Sequence, residues 1–308
     1  MSNNSAYKPA YLNLLETCQF PQRIALAQDM LRACSCCGWA CKVDRLAGVM
    51  GVCKTGVAPR VSSYGAHLGE EKPLRGWRGS GTIFFSRCNM RCQFCQNADI
   101  SQSDSGSDVD AARLAEIMLE LQFEGCHNIN FVSPTHVLAP IIAAVYLAAQ
   151  GGLHIPLVYN TGGYDSEQAL VLLDGIIDIY MPDMKYANAQ VARRYSRIPN
   201  YPQVNQQAVR LMYRQVGDLH IRSNGLATRG LLVRHLVLPN NLAGTQEIMR
   251  FLAQEISLNT YVNIMDQYHP AYRSNEYPQI NRHIKTEEIL LAFQAARDAG
   301  LHRLDHEM

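Results

Sequence analysis

Six short apolar segments alternate with helical patterns along the chain from residue 81 onward. The apolar segments are 82–85, 128–132, 155–159, 176–181, 231–238 and 260–265, and they are rich in Val, Ile, Tyr and Phe. The helical patterns lie at 109–123, 137–150, 166–173, 188–195 with 203–216, 244–256 and 285–299. Continuously apolar segments are typical of parallel strands buried on both faces. Repeated strand–helix alternation therefore predicts parallel β/α units.

Six units are too few to close an eight-stranded barrel, so residues 81–308 are expected to form either an open partial barrel or a doubly wound sheet. In both α/β architectures the functional side chains lie at the carboxyl ends of the strands. Residues 1–80 show no clear alternation of this kind and contain a dense group of cysteines. We expect them to form a separate N-terminal region with a small cysteine-rich, metal-binding module.

Charge and hydropathy exclude several classes of function. The chain has 28 Lys and Arg against 27 Asp and Glu, for a net charge of +1, which gives no sign of a nucleic-acid or membrane-surface partner. No run of 18 apolar residues is present, so no membrane span is predicted. The first residues are polar and lack the apolar core of an export signal. We therefore expect a cytoplasmic protein.

Cys88, Cys92 and Cys95 follow the first predicted strand with the spacing C-x3-C-x2-C. Three thiolates in one loop can hold three irons of a [4Fe–4S] cube, whereas a ferredoxin needs a fourth cysteine. None follows nearby, and an iron without a protein ligand can bind a small molecule. The alternatives are three buried structural cysteines or a zinc knuckle, although this spacing is uncommon for zinc.

This loop, with the aromatic Phe94 before its last cysteine, resembles the signature of the radical S-adenosylmethionine superfamily. The resemblance implies a partial (β/α)6 barrel in which the open iron binds S-adenosylmethionine. It implies reductive cleavage of that cofactor to a 5′-deoxyadenosyl radical, which removes a hydrogen atom from a substrate. It also implies a flavodoxin or ferredoxin-type electron donor. Segments 128–136, 156–164, 178–186 and 234–239 resemble the branch related to pyruvate formate-lyase-activating enzyme.

Polar residues that directly follow predicted strands are the candidate cofactor contacts. Ser133 and Thr135 follow the second strand, where many members of the superfamily carry a Gly-Gly-Glu-Pro motif whose Glu holds the methionine ammonium group. This chain has no Glu there, so a hydroxyl, backbone carbonyls or another side chain must replace it. Asn160 follows the third strand and can bond the cofactor's ribose or carboxylate. The alternative role for Ser133 and Thr135 is a helix cap.

Two further candidates come from the resemblance to the activating enzymes. Asp183-Met184-Lys185 follows the fourth strand and resembles an Asp-Leu-Lys motif whose Lys contacts the cofactor. A carboxylate and an ammonium group near a zwitterionic ligand are electrostatically reasonable. His269 follows the sixth strand and matches a Tyr-His pair that contacts the cofactor in those enzymes. The alternatives are a solvated loop pair and a packing histidine.

Cys34, Cys37, Cys41 and Cys53 supply four thiolates within twenty residues, and Cys36 is a fifth, unassigned thiol. Four soft ligands at such spacing fit a structural zinc ion or a second iron–sulfur cluster. The sequence does not separate the two, and we favour zinc; disulfides are the alternative. A small region of loops cannot bury enough apolar area to fold without such a metal.

Three functions fit these features. The first is activation of a glycyl-radical enzyme by removal of a backbone hydrogen atom, as the resemblance implies. The second is direct radical modification of a small molecule, for example by a carbohydrate or amino-acid epimerase or by a dehydrogenase. The third is electron transfer or iron sensing without catalysis, which the open iron and the Asp-Met-Lys motif argue against.

Overall fold

The computed structural model describes residues 7–305. The polar residues 1–6, on which the expected lack of an export signal partly rests, lie outside this range. Its strands are β1 (Arg60–His67), β2 (Ser80–Phe85), β3 (Ser107–Asp108), β4 (Ile129–Val132), β5 (Leu157–Thr161), β6 (Ile179–Pro182), β7 (His220–Ile221), β8 (Ala227–Leu236), β9 (Tyr261–Met265) and β10 (Arg303–Leu304). Its helices are α1 (Ala10–Glu16), α2 (Phe20–Met30), α3 (Lys72–Arg75), α4 (Ala98–Ser101), α5 (Ala111–Phe123), α6 (Leu138–Gln150), α7 (Glu167–Leu173), α8 (Ala189–Ser196), α9 (Tyr201–Val216), α10 (Thr245–Phe251) and α11 (Thr286–Asp298).

Six strands form a continuous parallel sheet in the order β2-β4-β5-β6-β8-β9. These are the six strands predicted from the sequence, and the predicted α/β fold with a mostly parallel sheet is confirmed. Each parallel strand lies beside its neighbour in the chain. A doubly wound sheet would instead reverse the strand order at one point. The winding is therefore that of a barrel, and the linear strand path leaves this barrel open, consistent with the predicted partial barrel.

The barrel interior is filled at its amino-terminal end by α3. Leu74 of this helix packs in an apolar cluster with Val158, Ile179 and Leu232, which lie on three neighbouring strands. The Asn128 side chain, just before β4, donates a hydrogen bond of 2.8 Å to the backbone carbonyl of Leu74. With Leu74 at the amino-terminal end of the lumen, the opposite end, at the carboxyl ends of the strands, is where ligands bind in such folds.

The N-terminal helices pack on the barrel. Phe20 of α2 lies 5.4 Å from the ring of Tyr146 in α6, and Tyr11 of α1 donates a hydrogen bond to the carbonyl of Ile155. The backbone of Ala10 donates to the buried carboxylate of Asp178, whose pKa is raised to about 6 by burial. Strand β1 also pairs antiparallel with β2 across the predicted boundary at residue 80. The division of the chain into 1–80 and 81–308 stays a prediction.

A helix that crosses a bilayer needs about 20 consecutive, predominantly apolar residues. Within residues 7–305, no helix is long and apolar enough to cross a membrane.

The plug predicts a stability effect. Leu74 is fully buried, whereas Leu68 in the preceding turn is 62% exposed. We expect Leu74→Ala to lower the free energy of unfolding by about 2–5 kcal/mol, because it removes buried methyl groups and leaves a cavity in the lumen. We expect Leu68→Ala to change it by less than about 0.5 kcal/mol. Urea unfolding of both variants measures the difference, and equal midpoints would contradict the role of the plug.

Candidate active site

The three cysteines of the C-x3-C-x2-C loop lie at the carboxyl-terminal mouth of the barrel. Cys88, Cys92 and Cys95 line one cavity of about 370 Å³ that reaches into the lumen. Each sulfur has a polar neighbour: the backbone N–H of Met90 donates to Cys88 at 3.5 Å, the Ser196 hydroxyl donates to Cys92 at 3.0 Å, and the Ser101 hydroxyl lies 3.1 Å from Cys95. Hydrogen bonds of this kind stabilise thiolate ligands and tune iron–sulfur centres.

Contacts on both sides hold this loop in place. The backbone of Gln93 donates to the carbonyl of Tyr195 at 2.7 Å and accepts from the backbone of Arg273 at 3.0 Å. Phe94 is buried, and its ring packs edge-on against Tyr186 and Tyr268. Phe94 does not line the cavity. Its side chain instead holds the loop in position.

Ser133 and Asn160 line the same cavity, as the strand-end rule predicts. The backbone N–H of Ser133 donates to the carbonyl of Asn160 at 2.8 Å, which joins the ends of β4 and β5. Ser133 has a φ of 56°, in the left-handed region that residues other than glycine rarely adopt. Such strained positions are frequent where a backbone must turn toward a ligand.

Thr135 lies elsewhere, in a buried polar network behind β5. Its hydroxyl donates to Asp165 at 2.7 Å, and the hydroxyls of Thr161 and Tyr159 donate to the same carboxylate. Burial raises the pKa of Asp165 above its usual range, although these hydrogen bonds oppose the shift. The structure does not bring the Thr135 side chain to the cavity.

Asp183 and Lys185 form an ion pair that faces the cysteines. The Lys185 Nζ lies 2.6 Å from the Asp183 carboxylate, and both side chains are more than four-fifths buried. Burial lowers the pKa of Lys185, but the charge and hydrogen bond of Asp183 and the charges of Cys92 and Cys95 together outweigh it, so that this pKa lies above its usual range. Both residues line the cavity, so the structure places the Asp-Met-Lys segment beside the predicted cluster.

His269 is exposed at the rim and does not line the cavity. Its Nδ1 lies 3.2 Å from the side-chain nitrogen of Gln96, which follows the last cysteine of the loop. Gln96 also donates to the carbonyl of Gln267, a residue that does line the cavity. A cofactor role for His269 stays a prediction.

A charged network at the floor of the cavity was not predicted from the sequence. The Arg234 guanidinium donates to both oxygens of Glu71, at 2.5 and 2.7 Å, and also to Glu70. Asn263 donates to Glu71 at 2.8 Å, and His67 Nδ1 lies 3.2 Å from Glu70. Burial raises the pKa of Glu71, but the charge and hydrogen bonds of Arg234 outweigh it and leave that pKa below its usual range. We call this set the floor network.

The sheet register explains why the charges meet. Arg234 pairs with Asp183 on one side and with Asn263 on the other, so the three residues share one layer of the lumen. Glu70 and Glu71 arrive from the turn before α3. One signal was available in the sequence: Arg234 and His235 interrupt a strand segment that is otherwise apolar, and a charge within such a segment must face a polar partner.

A family model of the radical SAM superfamily matches residues 82–252, which is more than half of the chain. The chain belongs to the radical SAM superfamily. It is also 32% identical over 292 residues to the uncharacterized protein MJ0674 of Methanocaldococcus jannaschii, a match that covers 91% of this chain and 78% of that protein. Membership implies a [4Fe–4S] cluster and S-adenosylmethionine, abbreviated SAM, and the three hydrogen-bonded sulfurs fit this cluster.

Two solved structures are similar to this radical SAM protein. One is a radical SAM methyltransferase from Sphaerobacter thermophilus, with 15% identity, a TM-score of 0.48, and coverage of 71% of this chain and 64% of that one. The other is Streptococcus suis SuiB bound to precursor peptide SuiA, with 12% identity, a TM-score of 0.46, and coverage of 70% and 46%. The match spans less than two thirds of the length of either structure.

The N-terminal cysteines lie behind the radical SAM loop and contact it. Trp39 donates a hydrogen bond of 2.8 Å to the carbonyl of Asn89, and Arg91 donates to the carbonyl of Val52. Cys34, Cys36, Cys37, Cys41 and Cys53 line one small cavity together. Across the described range, no three His, Cys, Asp or Glu side chains stand already arranged around a single metal ion. The same is true of Cys88, Cys92 and Cys95, to which family membership assigns a cluster. The absence of a preformed site among the described residues therefore does not decide the question, and the predicted N-terminal metal stays a prediction.

The first site prediction concerns the cluster. We expect Cys88→Ala, Cys92→Ala and Cys95→Ala each to abolish 5′-deoxyadenosine formation, because each removes a ligand that the cluster requires. Cys126→Ala is the matched control, since this buried thiol lies before β4 at the opposite end of the barrel. Iron content and product formation are measured on all four variants. Full activity in any of the first three would contradict the assignment.

The second site prediction concerns the ion pair. We expect Asp183→Asn and Lys185→Met each to weaken SAM binding by about 1–3 kcal/mol, because each removes a charged hydrogen-bond partner and leaves the other charge buried. Equilibrium binding at equal iron content tests this. Wild-type affinity in both variants would place the pair outside the cofactor site.

Proposed function

We propose that this radical SAM enzyme abstracts a hydrogen atom from a small polar molecule that carries a positively charged group. The observation that carries the proposal is the charge of the cavity that the cluster cysteines share. Three carboxylates line it, from Glu70, Glu71 and Asp183, against the two cations of Lys185 and Arg234. Counted with a neutral imidazole on His67, which also lines the cavity, the lining holds one negative charge more than it holds positive charges. A buried excess charge is costly unless a partner neutralises it.

The two carboxylates of the floor network differ in how many hydrogen-bond partners they have. Glu71 is fully engaged, because both of its oxygens accept from Arg234 and one also accepts from Asn263. Glu70 has one oxygen on Arg234, and its other oxygen lies 3.2 Å from the half-exposed imidazole of His67. Glu70 is thus the less fully bonded carboxylate, the one that can receive a cationic substrate group, and Glu71 holds Arg234 in position.

A second polar group, Asn130, lies on the lumen face of β4 below the residues that line the cavity and is not part of that lining. Asn130 lies two residues before Val132 on β4, on the same face of the strand, and Val132 lines the cavity. The Asn130 side chain is fully buried, and neither its oxygen nor its nitrogen has a hydrogen-bond partner among residues 7–305. A buried amide without partners is destabilising, and a polar substrate would satisfy it.

When bound, the cluster and SAM supply a carbon radical that removes a hydrogen atom from the substrate. The chain's own residues do the rest: the Asp183–Lys185 pair binds the cofactor, Glu70 orients the substrate, and the plugged lumen excludes water from below. The reduction needs one electron from a flavodoxin or ferredoxin-type donor, and we expect the enzyme to work in the cytoplasm beside such donors.

Activation of a glycyl-radical enzyme is the second candidate. The position of Asp183-Met184-Lys185 beside the cluster cysteines favours it, because this segment resembles the motif of the activating enzymes. The substrate would then be a loop of a partner protein rather than a free molecule. The size of the substrate therefore separates the two functions.

Deuterium transfer tests the proposal. Cells that make this protein are grown in heavy water, and their extract is divided by a filter that retains proteins. Each fraction is incubated with reduced, cluster-loaded enzyme and unlabelled SAM, and deuterium in 5′-deoxyadenosine is measured by mass spectrometry. We expect deuterium from the small-molecule fraction. Deuterium from the retained fraction alone would favour glycyl-radical activation and contradict the proposal.

The role of Glu70 gives a further prediction. We expect Glu70→Gln to lower deuterium transfer at limiting substrate by about tenfold or more, equivalent to about 1.4 kcal/mol, because it removes the excess charge and keeps the shape. Glu120→Gln, on the surface of α5, is the control for the loss of a carboxylate. Equal transfer by the two variants would remove Glu70 from the substrate site.

A further inference from the structure

The small cavity behind the radical SAM loop differs in composition from the active-site cavity. Five thiols line it, from Cys34, Cys36, Cys37, Cys41 and Cys53, and Arg45 and His136 complete its polar lining. Its volume is about 10 Å³, close to the space that a single water or ion needs. We call it the five-cysteine pocket.

His136 lines this pocket and has one ring nitrogen without a hydrogen-bond partner among residues 7–305. The residue is 2% exposed, and its Nε2 lies 2.7 Å from the carbonyl oxygen of Ser86. Because a carbonyl can only accept, Nε2 carries the proton and Nδ1 of the neutral ring has a free lone pair. Nδ1 is buried without a hydrogen-bond partner in the part of the chain that the structure describes. Metal-binding histidines have this arrangement, in which one ring N–H is held by a carbonyl and the other nitrogen binds the metal.

Arg45 places a buried positive charge at the same pocket. It is 1% exposed and donates to the carbonyls of Gly56 and His136. Its Nη1 also lies 3.9 Å from the sulfurs of both Cys34 and Cys36. Within residues 7–305, no carboxylate is among its ion-pair partners. A buried guanidinium needs an anion, and metal-bound thiolates would provide one.

The spacing of two thiols points to one kind of metal. The sulfurs of Cys34 and Cys36 are 3.9 Å apart. A tetrahedral zinc ion with Zn–S bonds of about 2.3 Å sets two sulfur ligands about 3.8 Å apart. The pair therefore stands at the separation that one zinc ion requires, whereas the sequence spacing alone had left Cys36 without a role.

We propose that the five-cysteine pocket is a zinc site in which Cys34, Cys36 and the Nδ1 of His136 are ligands and one further thiol of the pocket is the fourth. Arg45 balances the negative charge of the bound thiolates. Because no three such side chains of the described residues are already placed around one ion, His136 and the fourth thiol must both move toward the Cys34–Cys36 pair, which couples zinc binding to the conformation of residues 34–56. His136 lies in the helical turn after β4, so the ion joins the N-terminal segment to the barrel.

X-ray absorption at the zinc edge of the full-length wild-type protein tests the ligand set. We expect about one zinc ion per chain, with a nitrogen at about 2.0 Å and sulfurs at about 2.3 Å. A shell of four sulfurs would overturn the proposal in favour of the all-cysteine set predicted from the sequence, and protein that binds no added zinc would also overturn it. This measurement needs no variant and is independent of iron content and of radical activity.

Variants provide the second measurement. We expect His136→Ala and Cys36→Ser each to lower zinc affinity at least tenfold in competition with a chelator, while Cys126→Ala binds zinc like the wild type. Wild-type affinity in both of the first two variants would overturn the proposal. If either variant fails to fold, the absorption spectrum of the wild type still decides.

Discussion

The contact between Arg234 and Glu71 is the interaction on which the active-site cavity depends. It joins β8 to the turn before α3, across 163 residues of chain, and α3 is the element that closes the lumen. A buried ion pair repays its desolvation only when geometry and hydrogen bonding are good. Here the pair is bidentate, and Asn263 satisfies Glu71 further. Because the turn is fixed in this way, Leu74 stays in the lumen and Glu70 is presented to the cavity.

A second ion pair lies beside the first in the same lumen. Asp183 is next to Arg234 in the register of the sheet, and its carboxylate holds Lys185 toward the cysteines. Asp183 and Arg234 thus share one layer of the lumen. Lys185 extends from this layer toward the thiols at the mouth, whereas Arg234 is held by Glu70 and Glu71.

The sequence predicted the parts of this arrangement that depend on regular periodicity. The six strands followed from continuously apolar segments, and the strand-end rule located Ser133, Asn160 and the Asp183–Lys185 pair. The strand-end rule does not determine where a side chain points. Thr135 also follows a strand, but it lies in a helical turn that directs its hydroxyl to Asp165. Glu70 and Glu71 were not predicted because they precede the barrel strands. No periodic pattern of apolar residues identifies a turn that enters the lumen. Cys36 was left unassigned because linear spacing does not measure distances between sulfurs.

An open barrel has two outer edges, and each unpaired edge can template association with another chain. This molecule ends both edges with strands of two residues. On one side β1 covers β2, and the exposed Ser107–Asp108 strand follows, with Asp108 bound to Arg60. On the other side Arg303–Leu304 covers β9. These short strands pair with the first two residues of β1 and of β9 and themselves offer few backbone groups for a neighbour to add to. Part of each edge is therefore closed to edge-to-edge pairing while the barrel stays open to its ligands.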